Sequence, residues 1–329
     1  PVRDASRWQA SEEKLVSALS FVSGDRYRLS WVPLGRRLGP HSRHRKRLRG
    51  TFDRVCLFSG GIDSLLGAVN YLETGERVLL VGHQAESASS GAQNRLVPLL
   101  AKRYPRQFSF VQCRIARSRV TIPAYPMPKP SEDTHRTRSF LFLSLAVAIA
   151  EKCGVEAISM PENGLIALNV PLQASRVGSL STRTAHPLFL SRYLDFASSA
   201  GVFAGSLHNP FMFMSKTDMI EQADPWLGPL LRQSVSCSRP SRWKSLGVWH
   251  CGYCVPCLYR RFAMQSMELD DADNYAFDIF KDVTTVSPQL QIDARALAAF
   301  VRRVEKASEA EVFGLVYRHG WFPDSILCE

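Results

Sequence analysis

Short apolar runs alternate with longer segments of helical periodicity over the central part of the chain. Four runs have the length and composition of buried strands: Arg54–Phe58, Arg77–Gly82, Phe108–Cys113 and Glu156–Met160. Three segments between them carry apolar residues at helical spacing: Asp63–Glu73, Gly91–Arg103 and Thr134–Lys152. Apolar strands that alternate with helices are typical of a mostly parallel sheet covered on both faces. The sequence therefore predicts an α/β fold, with a parallel sheet flanked by helices.

The pattern is less regular on either side of this region. A short helix is predicted at Ser11–Leu19 and a strand-like segment at Tyr27–Val32. Towards the other end, Ile292–Ala307 and Ala310–Tyr317 have helical periodicity. The segment Arg114–Asp133 contains four prolines, so it is not the interior of a helix, and we interpret it as a lid or substrate loop.

Positive charge is concentrated near the start of the sequence. The formal net charge is +11, and residues 1–50 hold 12 Arg and Lys against 4 Asp and Glu, which places +8 there. The run from Arg36 to Arg49 is the densest part, and it predicts binding of phosphates, nucleic acid or an acidic protein. A solvated linker is the alternative. No aromatic residues interleave with the run, as a stacking platform for single-stranded nucleic acid would require.

Membrane insertion is not predicted. The longest strongly apolar stretch, Phe140–Ala150, is far shorter than the roughly 20 residues that span a bilayer, and no basic start leads into an apolar secretory segment. We therefore expect a cytoplasmic protein, with no membrane partner.

A glycine turn follows the first predicted strand directly. The sequence Ser59-Gly60-Gly61-Ile62-Asp63-Ser64 lies between that strand and an amphipathic helix. Two glycines allow backbone N–H groups to face inward, where together with the helix N-terminus they form a cradle for phosphate. Ser59 and Ser64 would add hydroxyl donors, and Asp63 would bind Mg²⁺ or fix the loop. No lysine follows the glycines as in kinase-like nucleotide loops. A hairpin or a simple helix cap is the alternative.

Four cysteines have the spacing of a metal site. Cys237 precedes the tight group Cys251, Cys254 and Cys257, and four thiolates so arranged suit a tetrahedral, structural Zn²⁺ better than disulfides. An iron–sulfur cluster is the alternative, because the same short spacing occurs in ferredoxins. The fourth cysteine of a ferredoxin run would fall on Arg261, which favours zinc.

Both motifs, in this order, resemble those of the PP-loop ATP pyrophosphatases, and within them the 7-cyano-7-deazaguanine synthases, or QueC family. Arg138–Ser144 resembles a helix motif of that family, and Ser215–Ile220 resembles its lysine-containing element. The resemblance covers about residues 53 to 263. It implies a Rossmann-like PP-loop fold, of the HUP type, that binds ATP and Mg²⁺ and splits ATP between the α and β phosphates.

The resemblance also implies roles for individual residues. Ser59, Gly60, Gly61, Asp63, Ser64 and Lys216 would bind the triphosphate, with Asp63, Lys216 and Arg138 catalytic. Independently of it, Ser215 and Asp218 predict a capping box, which puts Lys216 in a first helical turn. A cation there opposes the helix dipole unless an anion lies nearby, so phosphate is favoured over an ordinary surface lysine.

Two departures from the family pattern concern the substrate. Ser139 stands where the family has asparagine, and residues 181–187 replace its usual substrate segment. The candidate substrate residues are Glu162, Asn163, Arg183 and His186. The variant pattern and the basic segment look more like the QueC-like proteins of bacterial anti-phage defence systems, such as Qat and some CBASS operons.

The expected function is adenylation of a 7-carboxy-7-deazaguanine-like carboxylate, followed by attack of an amine to give an amide or a nitrile. In the defence branch the amine would belong to a protein partner. The alternatives are a synthase for queuosine biosynthesis, a tRNA sulfurtransferase of the same superfamily with a catalytic thiol, and an inactive nucleotide-binding scaffold. Related enzymes suggest a homodimer.

Three parts of the chain follow from these assignments. Residues 1–50 would form a basic N-terminal appendage, residues 51–235 the PP-loop adenylating domain, and residues 236–329 a zinc-binding and helical C-terminal region.

Overall fold

The computed structural model describes residues 2–33, 48, 50–84, 87–115, 136–168, 172, 183–269, 271–282 and 286–323. The basic residues of the run from Arg36 to Arg49 and the four prolines of the predicted lid lie outside these ranges. So do residues 181 and 182 of the segment that replaces the family's substrate motif.

A five-stranded parallel sheet forms the centre of the molecule. Its strands are β1 (Arg54–Leu57), β2 (Val78–His83), β3 (Phe108–Cys113), β4 (Ala157–Ser159) and β5 (Ser206–His208). The spatial order is β3-β2-β1-β4-β5, and every neighbouring pair is parallel. The predicted α/β fold is confirmed, and each of the four predicted strands is present.

Helices connect and cover the strands. In chain order they are α1 (Ala5–Ala10), α2 (Glu12–Ser23), α3 (Ile62–Glu73), α4 (Ser87–Arg103), α5 (Arg138–Cys153), α6 (Gly164–Ala167), α7 (Pro187–Ser199), α8 (Lys216–Glu221), α9 (Gly228–Gln233), α10 (Val255–Ser266), α11 (Ile292–Val304) and α12 (Glu309–Val316). In the described part of the chain, no helix is both long and apolar enough to cross a membrane.

The sheet buries a separate apolar cluster on each face. Along β2, Leu79 and Val81 belong to the cluster under α5 and α7, whereas Val78 and Leu80 belong to the cluster under α3 and α4. Side chains of a strand alternate between faces, so a run that is apolar throughout requires cover on both sides. This explains why the strands could be recognised as continuous apolar runs.

Two expectations for local structure were wrong. Tyr27–Val32 forms no strand, because its backbone finds no neighbouring strand; instead Leu29 and Trp31 pack beside Leu15 of α2 and Phe196 of α7. The fifth strand, β5, was not predicted, since its three residues contain one apolar side chain, Leu207.

Helix α2 packs against the body of the molecule. Phe21 and Val22 are buried in the same cluster as Val55 of the central strand, and Trp31 donates a 2.7 Å hydrogen bond from its indole nitrogen to Glu12. The division of the chain at residues 50 and 235 stays a prediction. The described residues before 33 nevertheless share a core with the sheet.

Candidate functional site

A cleft lies over the carboxyl ends of β1, β2 and β4. It encloses about 220 Å³ and is lined in part by Ser59, Ser64, His83, Arg138 and Glu162. The strand order reverses here, because the chain moves outward from β1 to β2 and β3 on one side and returns to β4 and β5 on the other. Open parallel sheets bind ligands at such a switch point. The cleft is therefore the candidate ligand-binding site.

The glycine turn forms one wall of this cleft, between β1 and α3. Gly60 has φ +87°, and a Cβ atom there would lie 2.9 Å from the Cβ of Ala92. Both the left-handed conformation and the contact with α4 require glycine at this position. Gln93 of α4 holds the entry to the turn by donating from its amide nitrogen to the carbonyls of Phe58 and Ser59, at 3.0 and 3.3 Å.

Serine hydroxyls accept hydrogen bonds from the backbone N–H groups of the turn. Ser64 Oγ accepts from the N–H groups of Ser59 and Gly60, each at 3.2 Å. Ser59 Oγ accepts from Gly61 at 3.3 Å, and Ser236 Oγ accepts from Ile62 at 3.4 Å. Four successive N–H groups thus point at hydroxyl oxygens, which an anion can replace as acceptor. Such an arrangement at the start of a helix suits phosphate.

Asp63 and Lys216 form a buried ion pair. Lys216 Nζ contacts Asp63 Oδ1, and both side chains are buried. Asp63 Oδ2 accepts from the side-chain amide of Asn163 at 2.6 Å and from its backbone N–H at 3.1 Å. The structure thus brings together three of the predicted site residues. In the structure the negative charge beside Lys216, in the first turn of α8, is that of Asp63. The sequence had predicted a phosphate at this position.

Glu162 joins this group from the carboxyl end of β4. Its Oε1 accepts from the Asn163 amide at 3.3 Å, and its backbone is fixed by Asn209, whose side chain bonds both the N–H and the carbonyl of Glu162 at 3.0 and 2.8 Å. Burial and the neighbouring charge of Asp63 raise the pKa of Glu162 well above its usual value. Burial also tends to raise the pKa of Asp63, but Lys216 and hydrogen bonds from Glu162 and Asn163 lower it to about 2. The two pKa values are thus shifted in opposite directions, so that Asp63 ionises before Glu162.

The remaining predicted residues divide between the cleft and a distant interface. Arg138 is the first residue of α5 and lines the cleft. Arg183 and His186 do not line it. Arg183 donates to the carbonyl of Phe21 at 3.2 Å, and buried His186 caps α7 by accepting from Leu188 N–H at 3.1 Å. Packing between α2 and α7 accounts for both, so the structure gives no support for their contact with substrate.

Three residues at the cleft or at the glycine turn were not among the predicted site residues. Gln93 and His83 line the cleft from α4 and β2, and Ser236 reaches the turn from a segment 174 residues away. His83 follows a strand directly, which is a signal that places a side chain at the carboxyl edge of the sheet. Nothing local distinguishes Ser236 from other serines.

The four predicted cysteines come together beside the cleft. Their sulfur atoms all lie within 4.8 Å of one another, Cys251 and Cys257 are buried, Cys237 and Cys254 are partly buried, and no disulfide joins them. Gly252 has φ +82°, and a Cβ atom there would lie 1.7 Å from the carbonyl oxygen of Phe277. Cys237, the more exposed member, also lines the cleft. The cluster is a candidate metal centre.

The separation of the sulfur atoms suits a single ion. Four thiolates at 2.3 Å from a tetrahedral Zn²⁺ lie roughly 3.8 Å apart, and Cys251 Sγ and Cys257 Sγ are 3.8 Å apart. A 4Fe–4S cluster would spread its ligands more widely, because each of its four cysteines binds a different iron. The residues present therefore fit zinc.

Two buried arginines tie the cysteine cluster to the core. Arg260 is fully buried on α10 and donates to Asp271 at 3.0 Å and to Ser234 Oγ at 2.7 Å. Arg261 binds Asp278 through two nitrogens, at 3.1 and 3.2 Å. A buried charge is tolerated when it is paired and hydrogen-bonded in this way.

Comparisons with known proteins add little to this geometry. No family profile and no curated protein matches the sequence. Among solved structures, the chain is similar to the U34-tRNA thiolase NcsA from Methanococcus maripaludis with its 4Fe–4S cluster, at 12% identity and a TM-score of 0.34, over 97% of this chain and 91% of that one. A TM-score this low carries no argument about fold or function.

Proposed function

We propose that the protein is an ATP pyrophosphatase of the PP-loop type, which adenylates a carboxylate. The observation that carries the proposal is the turn from Ser59 to Ser64. Four of its N–H groups are directed at hydroxyl oxygens, at the start of α3 and at the wall of a cleft over the switch point of the sheet. The absence of a lysine after the glycines supports cleavage between the α and β phosphates, as in the family that the motif resembles.

The chemistry needs positioning more than a nucleophile from the protein. An oxygen of the substrate carboxylate attacks the α phosphorus of ATP, the bond to the bridging oxygen of the β phosphate breaks, and pyrophosphate leaves. An amine nitrogen then attacks the acyl carbon, forming an amide and releasing AMP and one proton. The turn would hold the leaving pyrophosphate, and Arg138 would face the transferred group from α5. Fixed donors of this kind stabilise developing charge in a cleft from which water is excluded.

Asp63 and Lys216 would have to separate for both to act on ATP. The two charges compensate each other, since Lys216 Nζ contacts Asp63 Oδ1. Phosphate oxygens would draw Lys216 away, and Mg²⁺ bound with ATP would take its place beside Asp63. Asn163 keeps its bond to the second oxygen of Asp63 in such an arrangement. The ion pair then serves as the resting state of the site.

The substrate class that we propose is a 7-carboxy-7-deazaguanine-like purine. Its support is the order of the motifs, from the glycine turn through Arg138 and Lys216 to the four cysteines. We further propose a structural Zn²⁺, a cytoplasmic location, a homodimer, a place in anti-phage defence and a protein amine as acceptor. The basic segment before residue 50 would recruit that partner, or a nucleic acid. Synthesis of 7-cyano-7-deazaguanine for queuosine is the simpler form of the same proposal.

A tRNA sulfurtransferase is the second candidate. One observation favours it: Cys237, a thiol of the cluster, also lines the cleft, where such an enzyme needs a sulfur carrier. This candidate predicts persulfide chemistry on that cysteine and binding of tRNA.

The deciding experiment follows pyrophosphate release from ATP by zinc-loaded protein with 7-carboxy-7-deazaguanine, with and without ammonia, and identifies the purine product by mass spectrometry. We expect release that depends on the purine, with amide or nitrile as product. Release that depends on tRNA and a sulfur donor instead would establish the sulfurtransferase. ATP binding without release under either condition would favour the inactive scaffold.

A further inference from the structure

One short segment joins the cysteine cluster to the glycine turn. Val235 N–H donates to the carbonyl of Gly60 at 2.9 Å, and a Cβ atom at Gly61 would lie 3.3 Å from the carbonyl oxygen of Val235. The next residue, Ser236, accepts from Ile62 N–H at 3.4 Å. Cys237 follows as the first cysteine of the cluster. The segment therefore touches three successive residues of the turn.

The other side of this segment is held by the region around the cluster. Ser236 N–H donates to Nε2 of His250 at 3.2 Å, and His250 immediately precedes Cys251. Ser234 is held in turn by Arg260 of α10. Ser236 is thus fixed between two residues, Cys237 and His250, whose positions depend on the cluster.

Metal binding would tighten this connection. An ion bound by four thiolates fixes Cys237 relative to Cys251, Cys254 and Cys257, whereas without it the four sulfurs are joined only by weak thiol contacts. Ser236, directly beside Cys237, would then keep its hydroxyl within reach of the first N–H group of α3. That N–H lies at the positive end of a helix of 12 residues, where phosphate is favoured.

We propose that Ser236 is a positioning residue that completes the phosphate site, and that the metal centre holds it there, so that affinity for ATP depends on the metal. This inference rests on the proposed function. The hydroxyl of Ser236 occupies the Ile62 N–H in the resting state and would bond a phosphate oxygen when ATP is bound. The four-cysteine site then has a role in nucleotide binding beyond stabilising its own turn.

The test measures the dissociation constant of ATP by calorimetry, together with the metal content of each protein. Ser236→Ala should keep its metal and bind ATP about 10- to 100-fold more weakly, the effect of losing one hydrogen bond to a charged group. Ser236→Thr, which retains the hydroxyl, should restore affinity to within about threefold of wild type, well inside the range of that one bond. Ser198→Ala, an exposed serine on α7, is the matched control.

Removal of the metal with a chelator tests the second half of the inference. Metal-free wild type should bind ATP about as weakly as metal-loaded Ser236→Ala, and its affinity should return when zinc is restored. Removal of the metal from Ser236→Ala should weaken ATP binding only slightly further. Circular dichroism shows whether the metal-free protein remains folded. If it unfolds, the ATP affinities of the metal-loaded Ser236→Ala and Ser236→Thr variants decide whether the inference holds.

Two results would overturn the inference by itself: Ser236→Ala that binds ATP as tightly as wild type, or folded metal-free wild type with unchanged affinity. Metal-loaded wild type that binds neither ATP nor pyrophosphate would overturn the proposed function, and this inference with it.

Discussion

At the scale of single residues, the site is a set of mutually compensated charges. Asp63 receives hydrogen bonds from Lys216 and Asn163, while burial and the charge of Asp63 raise the pKa of the neighbouring Glu162. A lone buried carboxylate would be costly, and these partners stabilise its ionised form. Both carboxyl groups are buried, but Lys216 and hydrogen bonds lower the pKa of Asp63, whereas burial and the negative charge of Asp63 raise the pKa of Glu162.

Glu162→Gln should change how stability depends on pH. The pKa of Glu162 is raised in the folded state from 4.5, so its contribution to stability is fully present below 4.5 and is lost as pH rises through the folded value. Glutamine does not titrate. The stability of wild type relative to the variant should therefore fall with rising pH, by at most about 1.4 kcal/mol per pH unit. Urea unfolding at about pH 5, 6, 7 and 8 measures this difference.

Glu221→Gln, at an exposed position of α8, is the control and should follow the wild-type profile. Profiles of wild type and Glu162→Gln that run parallel over the whole range would mean that Glu162 is ionised in the folded protein.

At the scale of elements, two tight turns position the functional groups, and each turn depends on a glycine. Gly60 and Gly252 both have positive φ and both lie against another part of the backbone or a helix. The turn at Gly60 directs its N–H groups at the hydroxyl groups beside the cleft. The turn at Gly252 brings Cys251 and Cys254 close together. A side chain at either position would be strained by conformation and obstructed by its neighbour.

Gly252→Ala and Gly247→Ala separate these two effects. Gly247 has φ +74° with nothing within 4 Å of an added Cβ, so alanine there should cost only the conformational term, about 1–2 kcal/mol. At Gly252 the added atom would lie 1.7 Å from the oxygen of Phe277, and the turn has to move. We expect loss of bound metal and a larger drop in unfolding free energy for Gly252→Ala alone, measured by metal analysis and urea unfolding. Equal metal content in both variants would contradict this.

The elements that the sequence predicted are those whose cause is local. β2 could be recognised because a parallel strand covered on both faces is apolar over most of its length, and β1, β3 and β4 could be recognised by their shorter apolar runs. The capping box at Ser215 and Asp218 is present as expected. Tyr27–Val32 alternates apolar and polar residues like a strand, but the alternation there reflects packing on α2 and α7. Strand β5 carries too few residues for any period to be visible.

The individual motifs of the site could be predicted from the sequence, but the contacts between residues of different motifs could not. The glycine turn and the four cysteines are local motifs, and the structure places each set where its chemistry requires. No local pattern indicates that Lys216 meets Asp63, 153 residues earlier, or that Ser236 meets Ile62. Arg183 and His186 were selected because they lie in the segment that replaces the family's substrate motif, and in the structure they take part in the packing of α2 against α7.

At the scale of the whole molecule, helix α2, which precedes the sheet, contributes to its core. Phe21 and Val22 of α2 lie in one cluster with Val55, Leu143 and Phe189. Arg183 and Arg192 both lie over the ring of Phe21, at 4.9 and 5.2 Å. These contacts join α2 to the sheet and to α7.

Phe21→Ala should therefore destabilise the entire chain. Truncation of a buried phenylalanine costs about 3–5 kcal/mol, as the sum of lost burial and the cavity left behind. The matched control is Phe313→Ala, at a position 59% exposed on α12, for which we expect a change within about 0.5 kcal/mol. Thermal or urea unfolding, followed by a signal from the sheet, measures the change in unfolding free energy of both variants. A small effect of Phe21→Ala would show that α2 folds independently of the sheet.

The wide spacing of the contacting residues along the chain has a consequence for biosynthesis. Asp63 meets Asn163 after 100 residues and Lys216 after 153, and Ile62 meets Ser236 after 174. A nascent chain on the ribosome therefore carries the glycine turn long before the residues that neutralise and support it have been made. Until residue 236 has left the exit tunnel, the turn lacks part of its cradle. The four N–H groups of the turn therefore have all of their hydroxyl partners only after residue 236 has emerged.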